Sequence, residues 1–169
     1  MTFTTPTIDH SLVPDLGISD ESRQGVVSVL TTVLADEFVL RTKLRNYHWN
    51  VRGTLFHALH EMFEEEYDQL AIIIDDIAER IRSYGAMSIG TLQEFKQNTR
   101  LDEEPGTYPD ATMMVQNLVQ DHETMIRNLR DDINRVDAQF NDVGAEDFLT
   151  GLLQMHQEMA WMLRSFIER

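Results

Sequence analysis

The sequence predicts an all-α chain folded as a four-helix bundle, and three observations carry that expectation. Apolar residues recur at three- and four-residue spacing through four long segments. Capping and breaking residues bound each segment. The connection between the second and third segments runs to about twenty-five residues, far longer than antiparallel neighbours need.

The elements follow in order. Residues 1–20 hold Pro6, Pro14, several Ser/Thr and only acidic charges, which predicts an irregular arm ahead of a bundle domain over 21–169. "SDES" supplies capping residues for a first helix from about Glu21 to Val51. Val26, Leu30, Val33, Leu40, Leu44, Tyr47 and Val51 form its apolar stripe, with Glu37 the one interruption. Val27, Leu34 and Phe38 add a second stripe, which suits a bundle whose subunits also pack on each other. Arg52 and Gly53 break the helix. The second runs from about Leu55 to Tyr84 through Leu59, Met62, Phe63, Leu70, Ile73, Ile74, Ile77 and Ile81, and Gly85 is its stop.

The middle connection is mostly punctuation, with one short amphipathic piece around Leu92 to Lys96. Asp110 caps a third helix expected to reach about Phe140, where "NDVG" ends it. The fourth is expected from about Ala145 to Glu168, through Phe148, Leu152, Met155, Met159, Met162 and Phe166. Four long helices with a short extra one in the long middle connection make a ferritin-like four-helix bundle. The methionines lie at core spacing, where thioethers fill irregular gaps.

Composition narrows the chemistry. The chain has 169 residues, 42% apolar and 25% charged, enough for one domain with a core. It has no cysteine, so disulfides, thiolate zinc sites, iron–sulfur clusters and cysteine nucleophiles are excluded. Any metal must be held by nitrogen and oxygen, which suits iron, manganese or zinc. The longest apolar runs are five residues, too short for a membrane span, and the start has no basic-then-apolar leader. A cytoplasmic protein is expected. Net charge is −15 with only two lysines, a surface that repels nucleic acid and attracts cations.

Candidate ligands crowd "NYHWNVRGTLFHALHEMFEEEYDQLAIIIDDIAER". His60 and Glu64 lie one helical turn apart, as do Asp75 and Glu79, and His57 and Glu61. Such pairs are common on solvated helices and specify little alone. An internal two-metal site of the ferritin kind needs Glu-x-x-His on facing helices. None of the six histidines has an acid three residues before it, so that motif is absent. If His48, His60, Asp75 and Glu79 bind together, one chain cannot do it: fifteen residues of straight helix separate His60 from Asp75 by roughly 22 Å. Two antiparallel copies across a two-fold axis bring His60 of one beside Asp75 and Glu79 of the other, which makes two identical sites.

"HWNVRG", then "FHALHEMFEE" and "DDIAERI", resembles the Dps family of mini-ferritins, the DNA-binding proteins from starved cells. The resemblance spans about Val26 to the end and includes "GTLQEF" and Trp161. It implies a hollow dodecamer built from two-fold dimers, with ferroxidase sites at the dimer interfaces. His48 and His60 match the family's ligands from one subunit, and Asp75 and Glu79 those from the partner. The family commonly has Asp one turn after the second histidine, whereas this chain has Glu64. The implied function is iron storage and detoxification: an enzyme, a ferroxidase, that oxidises iron(II), preferably with hydrogen peroxide but otherwise with dioxygen. The ferric product is stored as an oxyhydroxide mineral in the cavity, with zinc as a competing ion.

Other residues acquire expected roles from the same resemblance. Trp49 and Tyr47 stand beside His48 as candidates to intercept stray oxidising equivalents, although packing also accounts for them. Glu61, Glu64 and Glu65 are candidates for mineral nucleation. Asp137, Asp142, Glu146 and Asp147 surround the turn that lines the family's acidic three-fold pore, Asp142 and Asp147 being preferred. His57, His122 and His156 are expected at the surface or locally hydrogen-bonded, and His10 lies in the arm. DNA binding is not expected, because the arm carries no basic residue before Arg23 and the chain stops at Arg169 after the last helix. The remaining alternatives are a zinc-filled shell and a purely structural assembly.

Overall fold

The computed structural model describes Thr7 and residues 13–167, so His10, Asp9 and the end of the predicted fourth helix at Glu168 lie outside the described residues. Helix α1 is Asp20–Asn50, opened by Ser19, whose hydroxyl accepts from Ser22 N at 3.0 Å. Helix α2 is Phe56–Ser83. Between them the chain reverses at Gly53, whose φ of 110° is a left-handed conformation that glycine adopts without strain. The buried Arg23 guanidinium donates to the Tyr84 carbonyl at 2.9 Å, tying the start of α1 to the end of α2. The two helices therefore lie antiparallel.

Helix α3, Leu92–Asn98, sits inside the long connection and carries a full capping box. Glu94 N donates to Thr91 Oγ1 at 3.3 Å, and Thr91 N donates back to Glu94 Oε2 at 2.9 Å. Phe95 of α3 stacks on Phe38 of α1 with ring centroids 4.0 Å apart. The second apolar stripe of α1 is thus covered within its own chain: Phe38 by Phe95, with Val27 and Leu34 1% exposed. Packing within the chain accounts for this stripe.

The rest of the connection is bolted down by charge. Asp36, fully buried on α1, accepts from Arg100 N, Arg100 Nε and Thr99 Oγ1. The same guanidinium reaches Asp132 Oδ2 at 2.8 Å on helix α4, Ala111–Arg135. Arg100 bridges two long helices, and both carboxylates keep a partner that offsets their desolvation.

Helix α4 is capped by Asp110, which accepts from Met113 N at 2.9 Å. Its continuation, Val136–Phe140, is a single wide π-helical turn, so the expected end at Phe140 holds but the last turn is not α-helical. Phe140 packs against Gly25 of α1 so closely that any Cβ there would overlap the ring. Asn141 leaves the turn at a φ of 49°, and Asp142 then caps helix α5, Val143–Arg164, by accepting from Ala145 N at 3.0 Å. Helix α5 stops at Arg164, short of the expected Glu168. Ser165, Phe166 and Ile167 continue as tight turns with i−3 hydrogen bonds. The described residues thus form five α-helices with no strand, and no helix among them is long and apolar enough to cross a membrane.

Candidate metal centre

His48 lies in the last turn of α1 and His60 one turn into α2, so the short corner between the helices brings them face to face. Their rings stack with centroids 3.7 Å apart and planes inclined by 19°. Each Nδ1 donates to the other residue's backbone carbonyl: His48 Nδ1 to His60 O at 2.8 Å, His60 Nδ1 to His48 O at 2.9 Å. A carbonyl only accepts, so both Nδ1 atoms carry the proton and both Nε2 lone pairs are free. Phe56 stacks over His60 at 5.0 Å and Tyr67 sets its edge against His48 at 5.3 Å. Two imidazoles are thereby held in one tautomer and one orientation before any ion arrives.

Glu64, one turn beyond His60, completes the set. One ligand atom from each of His48, His60 and Glu64 lies within 4.8 Å of the others, the one such three-residue group among the described residues. Tyr67 Oη donates to Glu64 Oε1 at 3.2 Å, which steadies the carboxylate. Burial, then the Glu64 carboxylate, pushes the Tyr67 phenol above its ordinary pKa, so it stays a donor.

The other predicted site residues fall elsewhere. Asp75 and Glu79 are exposed and lie farther along α2, roughly 22 Å and roughly 28 Å from His60. Within one chain they do not join the histidine pair. Trp49 is 66% exposed with the Arg45 guanidinium 5.0 Å over its ring, whereas Tyr47 is buried and accepts from Asn117. Glu61 and Glu65 are exposed on α2, Glu61 beside the exposed His57 at 3.5 Å. At the α4–α5 turn, Asp137 and Asp147 are exposed and Glu146 is half-buried. Asp142 is engaged: it caps α5 and accepts from Tyr84 Oη at 2.6 Å, which with burial holds that phenol up near 12.

The interior holds a second cluster that sequence reasoning missed. Glu37 of α1, Glu66 of α2, His122 of α4 and His156 of α5 all point into the bundle. His122 and His156, expected at the surface or in local hydrogen bonds, are fully buried and bonded across helices. His156 Nε2 lies 2.8 Å from Glu37 Oε1, and the two Nδ1 atoms lie 2.9 Å apart. His122 Nε2 stands 3.8 Å from Glu66 Oε2. Burial is the chief cause of both displaced titrations, pushing Glu66 up to about 8 and His122 down to about 3. The signal is in the sequence: each of the four interrupts an apolar stripe at core spacing.

An all-α bundle with a long middle connection and a histidine–carboxylate centre defines a class. Residues 27–169 match the ferritin-like domain family. An uncharacterized low temperature-induced protein of Nostoc sp. is 51% identical over 91% of this chain and 86% of its own length. DNA protection during starvation protein 2 of Bacillus anthracis is 37% identical over 85% of this chain and 97% of its own length. The crystal structure of a Dps protein from Vibrio cholerae, described as a member of a broad superfamily of ferritin-like diiron-carboxylate proteins, superposes with a TM-score of 0.84. It is 25% identical, covering 93% of this chain and 98% of that one. The chain belongs to the Dps family of ferritin-like proteins. That membership fits iron storage and protection.

Proposed function

We propose that this chain is a ferroxidase subunit of a hollow, cytoplasmic dodecamer. Iron(II) is its substrate, oxidised at centres shared by two subunits across each two-fold interface and stored inside as ferric oxyhydroxide. The observation that carries the reading is the reciprocal Nδ1-to-carbonyl pairing of His48 and His60 beside Glu64. It presents two neutral nitrogen donors and one carboxylate, which is half of a ferroxidase ligand set. Neutral imidazole holds iron(II), and ferric iron favours additional carboxylate oxygen. Asp75 and Glu79 of a second copy supply that oxygen, since both are exposed and out of reach of their own chain's histidines.

The electrons balance with peroxide as oxidant. Two iron(II) ions each give up one electron, the peroxide O–O bond breaks, and two protons complete two waters. Taking the electrons as a pair avoids hydroxyl radical. Trp49, exposed and beside His48, is placed to absorb a stray oxidising equivalent. Glu61 and Glu65 serve as mineral-nucleating carboxylates, and Asp137, Asp142, Glu146 and Asp147 line the route of iron entry. The net charge of −15 draws iron(II) in and opposes direct DNA binding, so protection acts through iron rather than through compaction. Zinc suits the same donors and would compete without turning over.

The test is stopped-flow ferric absorbance after anaerobic iron(II) loading, with peroxide or air. The His48→Ala/His60→Ala protein should lose at least ~100-fold of the peroxide-driven rate, the scale of removing positioned groups at a reacting centre. Equal, slow rates in both proteins would leave a zinc-filled or purely structural shell as the better account.

A further inference from the structure

Each long helix sends one ionisable side chain into the middle of the bundle, and none of the four belongs to the His48–His60 centre. Glu37, His122 and His156 are 0% exposed and Glu66 is 6% exposed. Buried ionisable groups are costly unless compensated. Their hydrogen bonds form a single line, and with Glu37 ionised and His156 neutral one arrangement of protons fits it. His156 donates from Nε2 to Glu37 Oε1, so the Nδ1 of its neutral ring accepts. His122 therefore donates from Nδ1 to His156 Nδ1, which leaves the lone pair of His122 on Nε2. That atom has no partner, nor has either oxygen of Glu66, nor Oε2 of Glu37.

An unprotonated nitrogen and a carboxylate 3.8 Å apart are too distant for a hydrogen bond. They suit two ligands of one ion, since bonds of about 2.1 Å at tetrahedral angles put ligand atoms about 3.4 Å apart. A shift of a few tenths of an ångström closes the difference. Charge agrees as well: in the bound state two carboxylates and two neutral imidazoles carry −2, which one divalent ion cancels.

We propose that this interior cluster is a second, intrasubunit metal site that holds one divalent cation, with His122 Nε2 and the Glu66 carboxylate as ligands and the His156–Glu37 pair behind His122 fixing its tautomer. A ligating histidine whose other N–H is tied down in this way is the usual support of a metal site. Nitrogen with carboxylate oxygen suits zinc, cobalt or iron(II). Covered on all sides by the bundle, the ion is a resident, slowly exchanging part of the fold, separate from iron that turns over between subunits.

The test removes the interface ligands first. The His48→Ala/His60→Ala protein is stripped with chelator, loaded with cobalt(II), washed briefly with chelator and analysed for metal per chain, visible absorption and Tm. One cobalt per chain is expected, with d–d bands of a nitrogen–oxygen site and a Tm above that of the stripped protein. Adding Glu66→Gln, nearly isosteric, or His122→Gln should abolish all three. Should either added change prevent folding, the interface variant alone still decides, because zero retained cobalt overturns the site. Equal retention in Glu66→Gln and its parent overturns it too. Since the readout is binding in a protein without His48 and His60, failure of the ferroxidase reading leaves this result standing, and the converse holds.

Discussion

At the scale of single residues, protonation decides what each histidine can do. His48 and His60 are poised as ligands because backbone carbonyls claim their Nδ1 protons, a role that residue identity and spacing suggest but do not establish. His122 and His156 look ordinary in sequence and prove to be fully enclosed in the bundle. Their surroundings predict how stability varies with pH in metal-free protein. Glu66 titrates near 8 when folded and near 4.5 when unfolded, so between those values the folded chain holds a proton that the unfolded chain has released. Stability therefore falls as pH rises through that window. His122 works the other way: between about 3 and 6.5 the unfolded chain holds the extra proton, and stability rises with pH. Of the groups that face them, His156 opposes the rise of Glu66 and Glu65 adds to it, while His156 adds to the fall of His122 and Glu37 and Asp121 oppose it. Melting of stripped protein from pH 5 to 8.5 should show a decline above about 6.5, where only the Glu66 effect remains. Glu66→Gln should flatten it, by an amount on the order of a few kcal/mol. Parallel profiles for the two proteins would contradict the assignment.

At the scale of elements, periodicity predicted the helices well and their edges less well. The expected starts and stops fall within a few residues of the observed ones, because Ser19, Asp110 and Asp142 cap by local hydrogen bonds that sequence displays. The wide turn Val136–Phe140 was not legible. It goes with the contact between Phe140 and Gly25, residues far apart in the chain. Nor did the long connection announce its anchor. Arg100 reads as one more surface charge, yet it joins Asp36 of α1 to Asp132 of α4. Arg100→Ala takes the cation from a fully buried carboxylate, leaving it only the Thr99 hydroxyl and one backbone N–H, and should cost about 3 kcal/mol. A drop in Tm of several degrees in that variant, but not in Lys96→Ala at the exposed Glu103 pair, is the expected outcome. Similar melting of both variants would show that the bridge contributes nothing.

At the scale of the whole molecule, the ferroxidase reading requires two chains for every centre. That has a consequence specific to shared sites. A His60→Ala chain and an Asp75→Asn/Glu79→Gln chain should each be inactive alone, because both centres of each two-fold dimer lack a ligand. Co-assembled, a mixed dimer has one centre with both defects and one with neither. About a quarter of the parental rate is expected from random mixing, since half of the dimers are mixed and each regains one of two centres. No recovery in verified mixed assemblies would place the ligands within single chains.

The sequence by itself determined the helical periods, the caps, the absence of thiol chemistry and the motif that marks the family. These are local or compositional properties, readable wherever neighbouring residues decide the physics. It also showed that Glu-x-x-His, the motif of an internal two-metal site, is absent, but local spacing says nothing about side chains that meet from different helices. Glu37, Glu66, His122 and His156 come one from each long helix, with separations along the chain that no short motif can record. Only the tertiary structure decided that they meet, because helix packing turns four separate interruptions of apolar stripes into one buried cluster. The same holds for the tautomers of His48 and His60, set by carbonyls twelve residues away across a corner.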